Sequence, residues 1–109
     1  SNSEVKKLRV LRKEDFMSLN EFAAVAAVGQ SVSFIYHGKR RTGKIVNKVI
    51  IPNGKSKFLK GVVWNKAFGH ITLEFNDWVR PYKCFSIRKM SEIWMLSPEE
   101  ADILGGRDW

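Results

Sequence analysis

The chain has 109 residues, 44% of them apolar, which points to one domain built on a single modest core. Its 19 Lys/Arg outnumber its 11 Asp/Glu, and the formal net charge of +8 favours anionic partners. One cysteine, Cys84, excludes an intramolecular disulfide and a CxxC zinc site. No apolar run approaches the roughly 20 residues that a bilayer span needs, so the expectation is a cytoplasmic protein with no membrane segment.

Residues 1–13 carry the run EVKKLRVLRK, whose spacing fits a short strand, a helical lead-in or a basic arm. It is assigned here as a basic N-terminal arm. Ser18-Leu19-Asn20-Glu21 has the form of a capping box, and Leu19, Phe22, Ala23 and Ala26 follow a helical period. Gly29 supplies a stop, which predicts a helix over 14–29. The period then changes to two. Val32, Phe34 and Tyr36 alternate with Ser31, Ser33 and Ile35, as in a strand with one buried face.

His37-Gly38-Lys39-Arg40 reads as a turn, and Arg41 to Ile51 as a second strand ending at Pro52. Asn53-Gly54 is a further turn, Phe58 to Trp64 a third strand, and Ile71 to Phe75 a fourth. Asn76-Asp77 opens another turn, closed by Pro81. Tyr82 to Ile87 and Ser91 to Leu96 fit one bent strand or two. Ser97-Pro98-Glu99-Glu100 starts a short helix over 97–105, with Ser97 as cap and Gly105-Gly106 as stop. The predicted fold is mainly β: a small, partly open SH3/Sm-like barrel of about five strands over 31–96, flanked by an N-terminal and a C-terminal helix.

Gly38 to Lys44, GKRRTGK, matches the spacing of a phosphate-binding loop. Ile45 stands where a magnesium-holding hydroxyl belongs, and the β-branched residues after it favour a strand over the required helix. Nucleotide hydrolysis is therefore not expected. Cys84 lies in an apolar strand and reads as a buried thiol, and the two histidines, His37 and His70, form no recognisable metal site. No enzyme signature or cofactor motif is present.

The remaining constellation is basic and aromatic. Ser31 to Lys66 holds nine Lys/Arg and no acid, with Phe34, Tyr36, Phe58 and Trp64 interleaved. Lys39, Arg40, Arg41 and Lys44 surround the first hairpin, Lys57 belongs to the second, and Lys83, Arg88 and Lys89 fall in the last strands. Cations of this kind contact phosphates, and exposed rings beside them stack on bases. Alternatively, the rings are core and the cations solvate an outer face. Phe34, Trp64, Phe75 and Phe85 fit the core, whereas Tyr36, Trp78, Tyr82 and Trp94 fit half-exposed positions.

The order of these features resembles the WYL family. The matching elements are Leu19 to Gly29, Val32 to Tyr36, Lys39 to Lys44, Val62-Val63-Trp64 and Lys83 to Met90. The resemblance implies an Sm- or SH3-like barrel that senses a ligand or nucleic acid, with Tyr36 and Lys83 at the site, and a phage or mobile-element origin. Ser86 stands where the family has a second arginine, Arg88 where it has an aspartate, and no Tyr-Leu pair follows Trp64.

The expected function is non-enzymatic binding of RNA or single-stranded DNA through Tyr36, Lys39, Arg40, Arg41, Lys44, Lys57, Lys83, Arg88 and Lys89. The alternatives are a phage-type modulator docking on an acidic protein partner, and a sensor of a small anionic ligand.

Overall fold

The structure is a computed structural model that describes residues 12–51 and 68–104, without the side chains of residues 51 and 68. The predicted third strand, the second turn, Lys57, nearly all of the basic arm and Gly105-Gly106 lie outside the described residues.

Five antiparallel strands form one sheet: β1 (Ser31–Tyr36), β2 (Lys39–Ile51), β3 (Phe68–Glu74), β4 (Tyr82–Ser86) and β5 (Met90–Met95). Their order is β4-β3-β2-β1-β5, so β4 and β5 occupy opposite edges. Helix α1 (Leu19–Val25) precedes the sheet and α2 (Pro98–Leu104) follows it. No ladder joins β4 to β5 among the described residues. No helix among them is long and apolar enough to cross a membrane.

The predicted 14–29 helix is shorter and split. A one-turn 3-10 helix, Lys13–Asp15, ends at Phe16 in extended backbone. Met17 then donates its N–H to the Ile93 carbonyl at 2.9 Å, bridging to β5. Ser18 caps α1 by accepting the Glu21 N–H at 3.1 Å. The helix stops at Ala26, whose carbonyl accepts the Lys48 ammonium at 2.6 Å. Gly29, with φ of 98°, serves instead the turn that feeds β1. At the C-terminal end, Ser97 and Glu100 exchange backbone-to-side-chain bonds of 2.9 and 3.2 Å, a complete capping box for α2.

His37 and Gly38 both have positive φ, and Tyr36 pairs with Lys39, so the first hairpin closes through a two-residue turn of type I′ form. Lys39 and Arg40 therefore belong to β2, not to the turn. Gly43 has a different task. A Cβ there would stand 2.8 Å from the Glu74 carbonyl oxygen and 3.2 Å from the Leu73 Cβ, so this glycine admits β3 to close approach. The two glycines of the GKRRTGK run are thus explained by strand geometry.

The last β segment resolves into two strands. A 3-10 turn, Ile87–Lys89, separates β4 from β5 and takes Arg88 and Lys89 out of the strand. That turn constrains the whole sheet. Five flat strands would hold the two edges about 19 Å apart, whereas three residues linking Ser86 to Met90 span only about 8 Å in 3-10 form and about 14 Å fully stretched. The sheet has to curl. Its concave side holds the core, Phe22, Val32, Phe34, Ile45, Ile71, Leu73, Phe85, Ile87 and Ile93. The Phe34 and Phe85 rings meet edge to face at 5.1 Å, although β1 and β4 are three strands apart in the sheet.

Gly43→Ala is expected to lower stability by about 1–3 kcal/mol in urea denaturation, because the backbone oxygen it meets belongs to a paired strand. An unchanged midpoint would show that β2 and β3 are not held this closely.

Candidate nucleic-acid interface

Residues paired across antiparallel strands share a face. On β2, Lys39, Arg41 and Gly43 pair with Tyr36, Phe34 and Val32 and belong to the concave side; Arg40, Thr42 and Lys44 pair with Ile35, Ser33 and Ser31 and belong to the outer side. Adjacent arginines therefore part company.

Arg40 is enclosed on the outer side. Its guanidinium lies 4.8 Å from the Trp94 ring centre and 5.9 Å from that of Phe16. Nη1 donates to the Glu92 carbonyl at 2.7 Å and to Ser33 Oγ at 3.5 Å, and Nη2 stands 3.5 Å from the Glu92 carboxylate. Thr42 Oγ1 donates to the same serine hydroxyl at 3.0 Å. Burial pushes the Arg40 guanidinium below its ordinary pKa, and the Glu92 charge pulls it back up. Glu92 adopts φ of 47°, a left-handed conformation costly for a residue with a side chain, at a bulge where two residues of β5 oppose Phe34. Arg40 holds that bulge by both the carbonyl and the carboxylate. Its side chain is only 15% exposed, so among the expected phosphate ligands Arg40 serves the fold. Trp94, expected at a half-exposed position, is buried at 3% exposure beneath it.

Lys44 lies on the outer side with Glu74 as its cross-strand neighbour. The concave side gathers the others. The Arg41 guanidinium is 5.7 Å and the Lys83 ammonium 5.6 Å from the Phe85 ring centre. Tyr36 meets Phe85 edge to face at 5.0 Å. Its hydroxyl accepts the Ser86 N–H at 3.4 Å, tying the end of β1 to the edge strand β4. Lys39 stands opposite Tyr36 in the hairpin. Three of the predicted residues, Tyr36, Arg41 and Lys83, thus converge on the mouth above Phe85, which is itself fully buried, and Lys39 belongs to the same side of the sheet. The Lys83 stem covers the ring while its charge stays in water.

Beyond Tyr36 an open groove of about 540 Å³ is lined by Gly69, His70, Cys84, Ser86 and Arg88. Arg88 reaches it from the 3-10 turn, and exposed Lys89 follows Arg88 in that turn. Cys84 is exposed, contrary to the expectation of a buried thiol. The alternation that buries Phe85 turns its neighbour outward along an edge strand. No cluster of three His, Cys, Asp or Glu that could hold a metal ion occurs among the described residues.

Trp78 and Tyr82 share with Trp94 the expectation of a half-exposed position. They are 93% and 58% exposed. Comparison with models of protein families, with curated proteins and with solved structures found no match.

Arg40→Ala is expected to destabilise the protein by about 2–3 kcal/mol, losing a charge-assisted hydrogen bond and a cation–π contact. Arg41→Ala, which loses a cation–π contact with Phe85, should cost about 1 kcal/mol. Chemical denaturation of both variants tests the division. Equal losses would contradict it.

Proposed function

We propose that the chain is a small, partly open SH3/Sm-like barrel that binds RNA or single-stranded DNA without catalysis, in a cytoplasmic setting. The carrying observation is that Arg41 and Lys83, from basic segments far apart in sequence, stand at 5.7 and 5.6 Å from one ring, Phe85. Tyr36 borders the same ring. Two cations beside one mouth fit neighbouring phosphates of a strand, and the half-buried Tyr36 ring, not the enclosed Phe85, offers the stacking surface. The resemblance to the WYL family contributes to this reading through Tyr36 and Lys83, both of which stand at the mouth. Arg88 and Lys89 extend the positive surface beyond it.

The barrel part of the reading draws on the strand order, the three-residue link between opposite edges and the Tyr36–Ser86 bond. A second reading, a sensor of a small anionic ligand such as a nucleotide, draws on the groove beside Tyr36, where His70, Ser86 and Arg88 offer polar groups.

Lys39, Arg41, Lys83, Arg88 and Lys89 supply on the order of five phosphate contacts, so log affinity for a single strand should fall with log salt at a slope of roughly −3.5. Lys83→Gln should make the slope shallower by about 0.7. Fluorescence anisotropy with labelled oligonucleotides measures both, and no binding to RNA or DNA at low salt would overturn the reading. For the second reading, a nucleotide at 100 times its Kd should stabilise the protein by about 2.7 kcal/mol in a thermal-shift panel. A flat panel removes it.

A further inference from the structure

We infer that the turn after β3, residues 76–81, is a stacking platform on which Trp78 receives one unpaired base of a single strand. This rests on the nucleic-acid reading above and adds a contact outside the mouth. Trp78 is 93% exposed, an unusual position for the largest side chain, which is mostly buried in folded proteins. The ring does not project from a loose loop. Asp77 Oδ1 accepts the Val79 N–H at 2.9 Å and the Arg80 N–H at 3.2 Å, and the Phe75 N–H closes the turn onto the Pro81 carbonyl at 2.7 Å. The backbone that carries Trp78 is thus ordered before any ligand arrives, which lowers the entropic cost of stacking on it.

The cations of this turn and of the strand that follows it favour a nucleic acid. Exposed Arg80 shares the turn, and exposed Lys83 follows Tyr82 in β4 and leads to the Phe85 mouth. Asp77 spends one carboxylate oxygen on two backbone amides. Glu74 lies across from both Tyr82 and Lys44. A membrane surface fits the turn less well, because Val79 is the one aliphatic neighbour in a turn that also carries Asn76, Asp77 and Arg80. A duplex fits less well too, since its bases are already stacked on one another, whereas a projecting indole stacks on a base that is free.

The test compares wild type, Trp78→Ala and Trp78→Phe by anisotropy with a labelled single-stranded oligothymidine of about 12 nucleotides and with the same strand made abasic. Trp78→Ala should bind the oligothymidine about 5- to 100-fold more weakly with an unchanged salt slope, and Trp78→Phe should recover most of the loss. The abasic strand should not distinguish the three proteins. Equal oligothymidine binding by wild type and Trp78→Ala would overturn the platform and leave the mouth reading standing. Failure of the wild type to bind any strand would overturn both. Wild-type binding to phosphatidylserine vesicles that Trp78→Ala abolishes, with oligonucleotide affinity unchanged, would assign the turn to a membrane and overturn the inference.

Discussion

A three-residue link between opposite edges of a five-stranded sheet is the constraint on which the rest depends. Ile87–Lys89 joins β4 to β5 although three strands lie between them in the sheet. The sheet has to curl to satisfy that link, and curling brings Phe85 of β4 onto Phe34 and Tyr36 of β1. The mouth above Phe85 is a by-product of the same curl. Arg41 and Lys83 approach one ring because the strands that carry them have been folded toward each other.

Strand alternation then sorts the cations by task. Arg40 and Arg41 are neighbours in sequence and belong to opposite sides of the sheet. The outer one is held by Trp94, Phe16 and Glu92 and fixes a bulge whose left-handed residue would otherwise be costly. The inner one, half-buried, stands 5.7 Å from the Phe85 ring centre. Positive charge in this chain is therefore not one undifferentiated patch. Part of it stabilises backbone geometry, as Lys48 also does at the end of α1.

Local signals were legible in the sequence and long-range ones were not. The caps at Ser18 and Ser97, the strand β1 and the hairpin at Gly38 follow from neighbouring residues, and the structure has each of them. The single buried face expected of β1 does not hold, because Ser33 on the outer side is fully buried against Thr42. The split of the predicted 14–29 helix depends on Met17 meeting Ile93, and the burial of Trp94 depends on Arg40 and Phe16. Neither contact leaves a trace within a window of adjacent residues. The separation of Arg40 from Arg41 was implicit in the period of two, since a strand places consecutive side chains on opposite faces. The outward turn of Cys84 follows from the same rule, with Phe85 beside it as the inward residue. The convergence of Arg41 with Lys83 needed the curl, and the curl needed the strand order.

The most direct test of the central claim is a map of backbone amide chemical shifts during titration of the labelled protein with a short single-stranded oligonucleotide. Ligand entry at the mouth predicts shifts centred on Tyr36, Arg41, Lys83 and Phe85, with Ser33, Arg40, Thr42 and Trp94 on the outer side unmoved. Shifts centred on Arg40 and Trp94, with the Phe85 cluster silent, would contradict the account.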